Sequence, residues 1–363
     1  MTTSTTTSKG VTNSLTAGRL PRFSTWAVLG ISLAVAFGIS VIMSLADGSG
    51  QVNWIAALIG GAAIFVVANW LLALLVEGPR QASDRLVTSL VTAAFVIALI
   101  PLVWLLITVV QNGAGTLFNG SFLTSSMRNV VGEGGGALHA IIGTLLITGM
   151  ATLISVPVGL LTAIYLVEYG RGPLARAITF FVDVMTGIPS IVAGLFAFAF
   201  FSLILDNPAI RFGFGGAVAL SLLMIPVVVR SSEEMLKLVP NELREASYAL
   251  GVPKWLTIVK IVIPTSIAGI TTGVTLAISR VIGETAPLLI IAGFTTSMNY
   301  DLFNNQMMSL PVFLYTQFQN PGVVVQPYLD RSWAAALTLI LIVMALNLIA
   351  RLVAKIFSPK LGR

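Results

Sequence analysis

Long apolar runs alternate along this chain with short polar, charged or glycine-rich intervals. Eight runs stand out: Trp26–Leu45, Val52–Val76, Leu86–Val110, Ile141–Val167, Ile178–Leu205, Phe212–Val229, Ile261–Phe294 and Ala334–Val353. None alternates with the two-residue period of a half-buried strand. A bilayer core of about 30 Å takes about 20 apolar residues to cross as helix. In lipid only helices and closed barrels satisfy their own backbone polar groups. The pattern therefore predicts an all-α polytopic membrane protein with eight spans. The sixth run opens on Phe212-Gly213-Phe214-Gly215-Gly216, so its start is soft. The seventh, at 34 residues, is too long for one upright crossing. Part of it has to kink, re-enter or lie in an interface.

Basic residues orient the spans. With the N-terminus in the cytoplasm, 16 of the 20 Lys and Arg fall on inward segments. Outside lie Arg128, Arg211 and Arg331, and Arg280 falls within a span. Such an asymmetry is the positive-inside pattern, and it places both termini in the cytoplasm. The first run is longer than the apolar stretch of a cleaved signal, and a second follows after six residues, so it reads as a span.

Composition narrows the function classes. Charged residues make up 9% of the chain and hydrophobic ones 56%, against roughly 25% charged in a soluble domain. The net charge of +6 is explained by the inward loops, without nucleic acid. There is no Cys and one His, which removes disulfides, thiolate metal sites and thiol nucleophiles, and nearly all imidazole chemistry.

Two intervals, Gln111–Ala140 and Thr295–Trp333, face outward. Most of their aromatics, among them Phe118, Phe122, Tyr300, Phe303, Phe313, Tyr315 and Phe318, read as an interfacial belt, the other reading being a docking surface for an external partner. Gly132-Glu133-Gly134-Gly135-Gly136 reads as a flexible loop. The third interval, Arg230–Lys260, faces inward and concentrates charge. Within it Pro240–Gly251 has the grammar of a short helix. Asn241 can cap it, Glu242 and Glu245 sit near its start, and Gly251 can take the left-handed position after its end. Leu243, Ala246, Ala249 and Leu250 recur at helical spacing, which gives an amphipathic rod suited to a membrane surface or a partner's groove.

Glu245-Ala246-Ser247, then Gly251, then Ile261-Val262-Ile263-Pro264 resembles the EAA loop of ABC importer permeases. Ser247 replaces the second Ala and Ile263 a Leu, and the spacing is intact. Ser279–Leu289, Val182-Asp183-Val184 with Gly187–Val192, Ile164–Gly170, Ser309–Val312 and Asn347–Arg351 resemble the PstA-type permeases of phosphate-specific ABC importers. The resemblance implies a type I (MetI-like) core of six helices over 86–358, with its EAA loop at 230–264. Residues 26–85 would add two extra N-terminal spans, 1–25 a disordered cytoplasmic segment and 359–363 a cytoplasmic tail. It further implies a bacterial inner-membrane protein that couples to ATP hydrolysis through Glu242, Glu245, Ala246, Ser247, Leu250, Gly251 and Pro264. Its partners would be a PstC-like sister permease, a PstB-like ATPase dimer and a PstS-like external phosphate-binding protein. The chain would bind no cofactor, ATP and Mg²⁺ belonging to the ATPase. In keeping with this, none of the six Lys follows a Gly, so a P-loop is missing.

Ionisable residues inside a span are costly and mark wet paths or packed pairs. Asp183, Arg280 and Glu284 are the candidates for a substrate path. Arg280 and Glu284 are four residues apart and can pair on one helix face. A guanidinium suits oxyanions, and the same pair could equally be a neutralised packing contact. Gly187 and Pro189 interrupt the fifth run, as a packing kink or a gating bend. Gly269 and Gly273 would allow a close helix approach, at a subunit interface in one reading. His139 reads as interfacial. The rival readings are a permease for sulfate or molybdate, a proton-coupled secondary transporter using Asp183 and Glu284, and a membrane sensor of phosphate status.

Overall fold

The computed structural model describes residues 20–46 and 54–357. The tail expected at 359–363, and most of the disorder expected over 1–25, lie outside the described residues. Thirteen α-helices follow among them: α1 (Arg22–Ala46), α2 (Trp54–Val76), α3 (Pro79–Phe118), α4 (Leu138–Ile164), α5 (Pro173–Thr186), α6 (Ser190–Ile204), α7 (Gly213–Lys237), α8 (Asn241–Ala249), α9 (Lys254–Thr257), α10 (Ile263–Val281), α11 (Ala286–Ile291), α12 (Leu310–Gln319) and α13 (Gln326–Phe357). π-helical turns at Tyr165–Tyr169 and Ile258–Val262 extend α4 and join α9 to α10. α1 begins inside the segment expected to be disordered.

Among the described residues, seven helices are long and apolar enough to cross a membrane. The fifth run is not one kinked span, as expected, but the pair α5 and α6, bent by 110°. Gly187 ends α5, and Pro189, extended at φ −60°, ψ 138°, starts α6. A proline kink inside one helix is far gentler. The over-long seventh run resolves into α10, a break at 282–285 and the short α11. α3 runs for 40 residues, about 60 Å at 1.5 Å per residue, and passes without interruption through the boundary expected at 85 and 86.

The chain divides into two compact units, Met1–Leu106 and Ile107–Arg363. In the first, α1 packs on α2 through Gly61, where a Cβ would lie 2.7 Å from Leu33 Cδ2, and through the Phe37 and Trp54 rings, 5.2 Å apart. Asn69 donates to Ser89 Oγ at 3.0 Å, a buried polar bond joining α2 to α3. Glu77 takes the Arg85 guanidinium at 2.7 Å and the Leu20 N–H at 2.7 Å.

The second unit is built around α7, the most buried of the spanning helices. Lipid tails are as apolar as leucine, so helices in a bilayer associate by close packing rather than by leaving water. The sequence of α7 reflects this: Gly213, Gly215, Gly216, Ala217 and Ala219 are buried on it. A Cβ on Gly216 would meet Leu288 and Ala292 at 3.0 and 3.1 Å, and Ile147 of α4 at 3.5 Å. Gly159 of α4 lies as closely on Val228. Gly269 and Gly273 of α10 close on Met235 and Ser231 of α7, where a Cβ would come within 2.2 and 2.4 Å. Their spacing therefore serves packing within this chain, and the subunit-interface reading is corrected.

At the end opposite α8, several expectations change. His139 is 2% exposed and set edge-on to Phe313 at 5.5 Å, so it is a core residue, not an interfacial one. Phe122 and Phe313 are buried as well, so neither belongs to a belt, while Phe118, Tyr300, Phe303 and Phe318 stay exposed. The glycine-rich loop is held rather than free. Arg331, 3% exposed, donates to Gly132 O at 2.7 Å, Gly134 O at 2.8 Å and Gln317 Oε1 at 2.9 Å.

Candidate functional site

The charged interval between α7 and α10 forms a structured end to the second unit. α7 continues eight residues past the apolar run, to Lys237, because Arg230, Glu233 and Lys237 fall on one face at i, i+3 and i+7. Glu233 accepts from Arg230 at 2.8 Å and from Lys237 at 2.6 Å. Arg230 also pairs with Asp183. Asp183 is thus an exposed residue of α5 held to α7, not a lone charge inside a span.

Pro240 then turns the chain into α8. Asn241 does not cap it; Pro240 occupies the cap position without a side-chain bond. Asn241 Oδ1 lies instead 3.3 Å from Arg244 Nη1. The other end matches the expectation. Gly251 has φ +76°, its N–H reaches Tyr248 O at 2.9 Å, and the Val252 N–H reaches Ser247 O at 3.2 Å. These two bonds make a complete Schellman motif. Ser247 is buried and shares a 2.8 Å hydrogen bond with Thr257 Oγ1 of α9. The alanine usual in the motif could not make this bond.

Arg244, at the same end of the unit, reaches Glu168, the end of α7 and Asn241. Its Nε and Nη2 donate to Glu168 Oε1 at 3.0 and 2.9 Å, and the two side chains are only 12% and 5% exposed. Nη1 and Nη2 also donate to Val239 O at 2.5 Å and Leu236 O at 3.0 Å, satisfying orphan carbonyls where α7 ends. Lys254 donates to Glu168 O and sits 4.9 Å over the Tyr169 ring.

The rest of α8 faces away from the unit. Glu242, Glu245 and Ala246 are exposed. Leu243 and Tyr248 are each 41% exposed and Leu250 83%, with Trp255 and Leu238 bare beside them. Glu242 and Glu245 thus lie away from the face that Arg244 and Ser247 fix, and Leu243, Tyr248 and Leu250 flank that face while staying exposed. Pro264, also exposed, opens α10.

A protein-family model described as "Binding-protein-dependent transport system inner membrane component" matches residues 155–363, which include this whole end. The chain belongs to that family. "Phosphate transport system permease protein PstA 1" of Mycobacterium tuberculosis is 49% identical over 276 residues, 76% of this chain and 89% of the relative. The PstA protein of Mycobacterium leprae is 49% identical over 271 residues, covering 74% and 88%. That of Pasteurella multocida is 39% identical over 282 residues, covering 77% and 96%. Among solved structures, an inward-facing MetNI methionine ABC transporter chain aligns at TM-score 0.48 and 18% identity, over 61% of this chain and 94% of its own length.

In this inner membrane component the path candidates take up a different arrangement from the one expected. α10 ends at Val281, so Arg280 and Glu284 are not on one helix face. Among the described residues no ion pair joins them, and Arg280 has no carboxylate partner. Arg280 is exposed and Glu284 half-buried at the break before α11. The helix after the break is packed: a Cβ on Gly194 of α6 would lie 2.5 Å from the Cα of Pro287 on α11. Glu168 and Arg244 were not singled out from sequence as site residues. The signal was present, because a Glu next to Tyr169-Gly170 at the end of an apolar run needs a cation once it is buried.

Proposed function

We propose that the chain is the PstA-type permease subunit of an ATP-driven inorganic phosphate importer, oriented with α8 and both termini in the cytoplasm. The observation that carries the reading is α8 itself. It is a short helix with a complete C-terminal motif, fixed on one face by Arg244 and Ser247, that offers Leu243, Tyr248 and Leu250 with Glu242 and Glu245 to solvent. An amphipathic rod that turns its apolar residues outward fits a groove in another protein. In this reading the groove belongs to an ATPase dimer, which binds ATP and Mg²⁺. A sister permease supplies the other half of the path, and an external binding protein delivers phosphate. The substrate follows from the relatives, whose names specify phosphate transport.

Arg280 offers the passing oxyanion a guanidinium not committed to any carboxylate among the described residues, at the point where α10 stops. Glu284 beside it keeps the site weak enough to release its ion, as a transport path requires. Asp183 holds α5 against α7, and the Gly187–Pro189 corner sets where α5 and α6 can hinge. The test is uptake of labelled phosphate into proteoliposomes holding both permeases and the ATPase, with the binding protein added. Uptake is expected only with ATP, and Glu245→Lys or Gly251→Asp abolishes it in protein that still inserts. Normal uptake by a well-expressed Gly251→Asp variant, or uptake driven by a pH gradient without the ATPase, would refute the assignment.

A further inference from the structure

We infer that Glu168 is a positioning residue that makes α4 and α8 one mechanical body, so that α4 carries movement of α8 across the membrane. This rests on the coupling role proposed for α8. Nothing in the EAA motif touches α4 directly by sequence, since Arg244 and Glu168 are 76 residues apart. The structure joins them by a charge pair held at 2.9 and 3.0 Å, with both side chains largely out of solvent. A second link runs parallel to it, from Lys254 to the Glu168 carbonyl and the Tyr169 ring. The π-turn at Tyr165–Tyr169 closes on the Gly170 N–H, which donates to Tyr165 O at 2.5 Å, so the segment carrying Glu168 is itself hydrogen-bonded rather than a loose loop.

The far end of α4 is fixed as firmly. Thr144 Oγ1 accepts the Leu310 N–H at 2.7 Å, a buried bond to the first residue of α12. A Cβ on Gly143 would lie 1.9 Å from Met308 O, so the two backbones are in direct contact there. From Thr144 to Glu168 is about 36 Å at 1.5 Å per residue, a full bilayer crossing. α4 thus ends at both faces in specific, short-range contacts, and its length packs on α7. A push on α8 has a stiff route to the buried segment at Met307–Leu310, at the other end of α4. If the Glu168–Arg244 pair is broken, α8 keeps its exposed face and its Schellman motif but loses the charged link of that route, leaving only the contacts of Lys254 with the Glu168 carbonyl and the Tyr169 ring. Coupling between two sites commonly changes affinity by roughly 5–150-fold.

The experiment uses the complete importer with Glu168→Gln, which keeps an acceptor and removes the charge. The ATPase is expected to copurify and hydrolyse ATP as with the unchanged chain, while phosphate taken up per ATP falls by about tenfold or more. An unchanged ratio overturns the inference, and so does loss of ATPase binding, which would reduce Glu168 to shaping α8. A second measurement needs no change at the clamp. The chain has no Cys, so spin labels can be placed at Leu161 and Ala249 alone. Their separation should stay constant between the nucleotide-free and ATP-bound complex while α8 moves relative to the sister permease. A change of several ångström would overturn the rigid-body claim even if the substituted protein fails to fold. Failure of the unchanged chain to bind any ATPase would instead sink the importer reading itself.

Discussion

Glycines in this protein act in two physically distinct ways, and single substitutions separate them. At Gly251 a Cβ would meet no atom within 4 Å, but φ is +76°. The cost of a side chain is therefore conformational, about 1–2 kcal/mol for an ordinary residue. Gly251→Ala should weaken uptake in part, and the β-branched Gly251→Val should abolish it, with membrane insertion unchanged in both. At Gly143 no unusual torsion is involved, but a Cβ would meet the Met308 carbonyl at 1.9 Å. There the backbones must separate, and Gly143→Ala should lower the detergent melting temperature by several degrees, overpacking costing about 1–3 kcal/mol or more. A Gly143→Ala protein as stable as the parent would show that the α4 contact with this loop is not tight. The left-handed role of Gly251 was legible from its position after Leu250 and before Pro253. The crowding at Gly143 was not, because the partner backbone is 165 residues away.

Helix faces tell a similar story. Gly269 and Gly273 have the spacing of an association motif, and that motif is satisfied inside the chain, against Met235 and Ser231 of α7. Gly273→Leu should therefore reduce the yield of folded monomer rather than release the sister permease from otherwise stable protein. Pulldown of a soluble-in-detergent, monodisperse but partnerless variant would contradict this. The pair α5 and α6 shows where an apolar run misleads. Hydropathy registers only that 178–205 is apolar, and a 110° corner leaves that property intact. The arrangement at Arg280 and Glu284 misleads for the opposite reason. Their four-residue spacing means a shared face only while the helix lasts, and α10 stops at Val281.

On the scale of the whole molecule, the boundary between the two compact units falls inside α3, so a truncation placed at the start of that helix leaves the second unit whole. Residues 79–357 retain all of α3, whose apolar stretch has the highest mean hydropathy of any spanning helix, 2.8, and everything that packs around α7. A chain starting at Pro79 should insert, bind its ATPase and import phosphate at a rate within a few-fold of the parent. Loss of insertion would show that α1 and α2 are needed to deliver α3 to the membrane.

What the amino-acid sequence settled unaided was the solvent and the local grammar. A run of apolar residues longer than the bilayer is thick has one stable environment, and a short helix ended by Gly251 and Pro253 needs no distant partner to define it. Which charges meet was decided by the folded chain. Asp183 with Arg230, and Glu168 with Arg244, are brought together across 47 and 76 residues by how α4, α5 and α7 pack. The strength of an ion pair depends on separation in space and on desolvation, neither of which is a property of spacing along the chain.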